Sequence, residues 1–163
     1  MRLHEIHQGE KVFIDTNIFT YLLTNDKRYV DSVKSFLKKV EQDFHIGFFN
    51  LTVFDETLFN FTKIQVIKRY KIKREDFNSF YKQNPAIIGE IDFKPVLRLF
   101  SMDNLNFLTS NLILEQITEF SRVYSLLPAD AIHLATMKAN NLIKIASNDP
   151  DFERVDWIKL YKP

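Results

Sequence analysis

The sequence predicts an α/β fold with a mainly parallel central sheet. Short apolar runs alternate with helical-period segments from end to end, the pattern of repeated strand–helix units. The run Val12–Ile14 is continuously apolar, as a strand covered on both faces requires. The chain has 163 residues, 45% of them apolar, enough for one domain, residues 1–163, with a sizeable core. In such sheets ligands bind outside the carboxyl ends of the strands.

The elements follow in order. Val12–Ile14 is a short buried strand, and Asn17–Leu23 a short helix. Tyr29–Glu41 carries Val30, Val33, Phe36, Leu37 and Val40 at amphipathic helical spacing. His45–Phe49 is a second strand and Leu51–Tyr70 a long helix. Arg74–Gln83 is a helix stopped near Pro85. Ile87–Ser110 reads least clearly and holds a short strand around Asn106–Leu108. Leu112–Tyr124 is helical, with Leu112, Ile113, Ile117, Phe120 and Val123 along one side. Pro128–Asn140 is a further helix, Ile143–Ala146 a strand, and Trp157–Leu160 a final short strand.

Composition excludes several classes of function. There are no cysteines, so disulfides, thiolate catalysis and cysteine zinc sites are out. Only 3 glycines occur, and none forms a phosphate-cradling loop. No apolar run approaches the roughly 18–20 residues that span a bilayer. The N-terminus, MRLHEIHQGEKV, lacks an apolar signal-peptide core, so a cytoplasmic protein with no membrane partner is expected. Net charge is +1, but Lys63–Arg74 carries six basic residues and no acid: Lys63, Lys68, Arg69, Lys71, Lys73 and Arg74. Such a run suits a phosphate backbone, or simply the solvated end of a helix. The 16 phenylalanines read as core.

Four acids stand at strand ends or helix starts. Asp15 follows the first strand, either as a turn or cap residue or as a ligand; Asn17 competes for the capping role. Thr52-x-x-Asp55 fits a capping box, which accounts for Asp55 but not for Glu56. Glu56 lies among apolar residues and is expected at the edge of a buried face. Asp130 falls in the first turn of a helix opened by Pro128, where the dipole favours an acid. Its neighbours Ala129, Ala131, Ile132 and Leu134 are apolar, so a counter-ion is expected. Asp149 and Asp151 lie in IASNDPDF, which also reads as an Asp-Pro turn. His133, one turn after Asp130, reads as a core histidine outside the site. In a parallel layout Asp15, Glu56, Asp130 and Asp149 share one edge. Carboxylates so gathered repel unless cations neutralise them, and oxygen ligands suit Mg²⁺ or Mn²⁺.

VFIDTNIFTYLL, LTVFDETLF, LLPADAIHLATMKANNL and IASNDPDF resemble the successive signatures of PIN domains, in the usual order. The strongest likeness is to the small single-domain PIN nucleases, including VapC-type toxins of toxin–antitoxin pairs. It covers Val12–Thr57 and Leu112–Leu160. The resemblance implies a three-layer α/β/α fold and metal-binding, catalytic roles for Asp15, Glu56, Asp130 and Asp149, with Asp151 assisting. Thr16, Asn17 and Thr52 match polar positions that orient ligands or contact phosphate. Ser147 stands where the family more often has threonine, and keeps the hydroxyl.

The implied chemistry is endonucleolytic cleavage of single-stranded RNA by metal-activated water, leaving 5′-phosphate and 3′-hydroxyl ends. The basic run then becomes an RNA path, with Tyr70 available for base stacking. An antitoxin protein and a homodimer are further implied partners, and structured RNA is a further substrate. Two other classes compete: a PIN-like module that binds RNA or protein without cutting, and a phosphotransferase with Asp15 as nucleophile. Asn17 counts against the latter, because a dehalogenase-type phosphatase wants a second Asp there.

Overall fold

The structure, a computed structural model, describes residues 1–109 and 114–163. Five parallel strands form its central sheet: β1 Lys11–Ile14, β2 Ile46–Asn50, β3 Leu105–Leu108, β4 Lys144–Ala146 and β5 Lys159–Tyr161. Their spatial order is β3-β2-β1-β4-β5. Val12, Phe13 and Ile14 are each 0% exposed, so the central strand is covered on both faces. This explains its uninterrupted apolar run. Phe13 pairs with Phe48 on one side and Ile145 on the other.

The helices are α1 Thr16–Thr24, α2 Val30–Glu41, α3 Leu51–Tyr70, α4 Phe77–Gln83, α5 Lys94–Phe100, α6 Leu114–Tyr124 and α7 Pro128–Ala139. They flank the sheet in a three-layer α/β/α arrangement. α1 packs on α2, α3 and α5, while α6 packs on α7. All five apolar positions expected on α2, from Val30 to Val40, are buried. Each contributes roughly 1.5–3 kcal/mol by leaving water. A smaller apolar cluster, Val66, Phe77 and Ile87, fastens α4 and the 3₁₀ turn Pro85–Glu90 to α3.

Several expectations change. α5 is an additional helix, opened by Pro95 in its first turn. α4 starts at Phe77, three residues later than expected. Leu112 and Ile113 lie outside the described residues. Ile117 and Phe120 of the same helix are half-buried, but Val123 is 52% exposed. The capping box is not formed. Asn50 caps α3, accepting from Val53 N at 3.0 Å, and its amide donates to Thr136 Oγ1 at 2.9 Å. Asn50 precedes Thr52 and already satisfies the backbone donor that a cap serves. Phe44, Phe59 and Phe107 are exposed, so the phenylalanines are not all core. Among the described residues no helix is long and apolar enough to cross a membrane.

Candidate active site

Strand order decides where the acids go. Chain leaving β1 passes through α1 and α2 to β2, on one side of β1. Chain leaving β4 proceeds to β5, on the other. Neighbouring strands whose exits diverge leave a crevice at their carboxyl ends. Asp15 follows β1 and Asp149 lies three residues beyond β4, so both reach that crevice. Glu56 comes from the second turn of α3, and Asp130 from the first turn of α7. A cleft of about 440 Å³ is lined by Asp15, Glu56, Asp130, Asp149, Thr16 and Asn17, together with Asp55 at its rim.

Asp15 is the N-cap of α1: Oδ1 accepts from Thr16 N at 2.7 Å. Capping and site-building are thus one role, because the cap fixes the carboxylate at the strand end. Its Oδ2 accepts from Asn17 Nδ2 at 2.5 Å and from Ser147 Oγ at 2.6 Å. Asn17 therefore supports the acid rather than competing for the cap. Asn17 Oδ1 also accepts from Asn148 N, at 3.1 Å, tying the β1 and β4 loops together. Thr16 Oγ1 donates to Glu56 Oε2 at 2.7 Å. Ser147 Oγ accepts from Asp149 N at 3.0 Å, and Asp149 Oδ1 from Asp151 N at 2.8 Å.

His133, expected as a core histidine, is fully buried but stands at the site. Its Nε2 lies 3.7 Å from Asp15 Oδ1 and 3.8 Å from Glu56 Oε2, within ion-pair range but too long for hydrogen bonds. Neither ring nitrogen has a hydrogen-bond partner in the structure. The signal was in the sequence: His133 follows Asp130 by one helical turn, so the two share a face.

The charges interact. Burial pushes the Asp15 carboxyl up, against the pull of His133 and of the Ser147 and Thr16 donors. Burial also pushes Asp130 up to about 6, with Asp15, Asp149 and Glu56 adding to it and His133 opposing. Glu56 moves the other way, held below the ordinary range by His133 and Thr16 against partial burial. The cleft therefore concentrates negative charge that a cation would relieve. Its donors are hard oxygens, a set that fits Mg²⁺ or Mn²⁺. Among the described residues, no three such groups are already drawn around one point. Asp15, with Oδ2 doubly engaged and the residue 5% exposed, is poorly placed as a covalent nucleophile.

Other expected residues fall elsewhere. Thr52 lines a separate hollow with Leu51, Phe107 and Thr136 and is not among the residues lining the acid cleft. It sits two residues past the cap, one helical turn before Glu56. Asp151 is not among the residues lining the cleft and pairs with Arg154 at 2.9 Å. Lys63, Lys68 and Arg69 point in different directions around α3, at about 100° per residue, and so form no stripe. Arg69 pairs with Glu90 at 2.9 Å. Lys71, Lys73 and Arg74 are exposed on the connection to α4. Tyr70 is not free to stack: its hydroxyl donates to Glu90 at 3.0 Å and its ring packs on Phe80.

The PIN domain family model matches residues 12–158. Ribonuclease VapC2 of Methanocaldococcus jannaschii is 33% identical over 154 residues, covering 94% of each chain. Ribonuclease VapC6 of the same organism is 29% identical over 157 residues, covering 93% of this chain and 96% of its own. The fold is similar to a chain in the crystal structure of VapBC2 from Rickettsia felis bound to a DNA fragment from their promoter. That likeness has a TM-score of 0.53 at 17% identity, and covers 93% of this chain and 98% of the other. Strand order, the cleft at the β1–β4 divergence and a family match over most of its length agree: the chain belongs to the PIN domain family.

Proposed function

We propose that residues 1–163 act as one PIN domain, an endoribonuclease that cuts single-stranded RNA with Mg²⁺ or Mn²⁺. The observation that carries this reading is the convergence of Asp15, Glu56, Asp130 and Asp149 on one cleft, with Asp130 pushed up to about 6. The names of the two M. jannaschii relatives, both ribonucleases, support RNA as the substrate. The VapBC2 assembly supports a toxin held by an antitoxin protein, and a homodimer completes the proposal.

Asp15, Glu56, Asp130 and Asp149 would hold the ion. When bound, it would polarise the scissile phosphate and lower the pKa of a water. The chain's own residues orient the ligands. Ser147 and Asn17 fix Asp15, Thr16 fixes Glu56, and buried His133 stands between the two. Asp149 is held by its own loop through Ser147 and the Asp151 amide.

The test is incubation with a labelled single-stranded RNA pool in Mg²⁺, Mn²⁺ or EDTA, beside Asp15→Asn. Metal-dependent cleavage that the variant lacks is the expected result. The second reading is a silent RNA- or protein-binding module. It draws on the acids not being gathered in advance around one point. Metal binding without cleavage of any RNA in the pool would favour it.

A further inference from the structure

A second depression adjoins the acid cleft. It measures about 540 Å³ and lies between α3 and α4, with Phe59, Phe77, Tyr81 and Phe93 among its lining residues. Asp55 and Phe59 line both hollows, so the two lie side by side. Phe59 is 50% exposed and Tyr81 40% exposed, which leaves much of each uncovered. Phe77 is held in place, edge-on to Phe59 and stacked on Tyr81. Asp55 lines the groove on the side of the acid cleft, and two cations accompany the rings. Lys63 Nζ lies 5.5 Å from the centre of the Phe77 ring, and Lys82 is part of the lining. Aromatic faces beside ammonium groups match a single strand, whose bases stack while its phosphates meet charge.

We propose that the α3–α4 groove is a base-stacking subsite for single-stranded RNA lying beside the scissile phosphate, with Phe59 and Tyr81 as the stacking rings. The proposal rests on RNA being the substrate of the adjoining cleft. It moves the stacking role from Tyr70, which is engaged with Glu90 and Phe80, to rings beside that cleft. It also gives a binding role to the segment around α4, for which the sequence offered none. Lys63 acts here at the groove rather than as part of a continuous basic stripe. The subsite reads no sequence, because every base offers a π-face.

The test measures binding without cleavage. Fluorescence anisotropy in EDTA compares a short labelled oligoribonucleotide with an abasic strand of equal length and charge. The wild type should prefer the strand with bases. Phe59→Ala and Tyr81→Ala should each weaken its binding by about tenfold, the scale of a base–aromatic stack. Binding of the abasic strand should stay unchanged. Phe59→Trp, which keeps a stacking face, should restore the preference, and circular dichroism should find every variant folded. Equal affinity of the wild type for both strands, or equal weakening of both by the alanine variants, would overturn the proposal. So would unchanged RNA binding with loss of a copurifying protein partner, which would assign the groove to protein. No cleavage in Mg²⁺ with intact base-dependent binding would defeat the nuclease reading alone. Cleavage with base-independent binding would defeat the subsite alone.

Discussion

Asp15 owes its position to three donors, and these carry a stability prediction. Ser147 is fully buried and gives its hydroxyl to Asp15 Oδ2. Ser147→Ala leaves that buried oxygen with one donor fewer and should cost about 1–3 kcal/mol in urea unfolding. Asp130 behaves oppositely. Its carboxyl is raised from 3.8 to about 6, so the folded state holds its proton more tightly than the unfolded state does. Its contribution favours folding below about 3.8 and is lost as pH rises through about 6. Asp130→Asn is neutral throughout. In EDTA it should melt at a higher temperature than the wild type near neutral pH, and the gap should close below pH about 4. No such gap at neutral pH would mean that the cleft does not strain this carboxylate. The acids were legible in the sequence because each follows a strand or opens a helix. The site role of His133 had one signal, its place one turn after Asp130, which its apolar neighbours Ile132, Leu134 and Ala135 outweighed. It is core, and it also faces two carboxylates.

At the level of elements, helix starts and tight packing are the most informative. Asn50 both caps α3 and bonds to Thr136 of α7. Asn50→Ala should cost about 1–2 kcal/mol, the range for removal of a cap, whereas Thr52→Ala should cost under about 0.5. Equal costs would restore the Thr52 capping box. Gly47 lies in β2 where a Cβ would come within 2.9 Å of Ile14, 3.0 Å of Val40 and 3.1 Å of Leu105. All three are side-chain ends that can give only a little, so Gly47→Ala should destabilise by about 1–3 kcal/mol in thermal melts. α5 escaped the sequence reading for a definite reason. Its seven residues, KPVLRLF, are shorter than the window over which helical period can be counted. α2, with twelve residues and five buried positions, is long enough for the period to stand out.

Across the whole molecule, charge is nearly balanced at +1, so RNA attraction must come from local groups. Arg69 is committed to Glu90, and Lys68 faces away from Lys63. Lys71, Lys73 and Arg74 remain exposed on the α3–α4 connection. Reversing these three should weaken RNA binding and lower the salt slope by about 0.7 for each phosphate of a single strand that is no longer neutralised. An unchanged slope would remove the connection from the RNA path.

The sequence by itself determined the alternation of strands and helices, because period and run length are local properties that survive without knowledge of neighbours. The apolar run Val12–Ile14 became a doubly covered strand, and the α2 stripe became buried. It also determined which acids stand at the ends of elements. Only the tertiary structure decided that β1 and β4 are neighbours whose exits diverge, which opens the cleft between Asp15 and Asp149. It likewise decided that Asn50 rather than Thr52 caps α3, that His133 faces Asp15 and Glu56, and that α4 leaves an aromatic groove beside the acids. Apart from the cap itself, which Asn50 makes to Val53, these depend on residues far apart in the chain being brought together, and a pattern read along the chain carries no information about such distances.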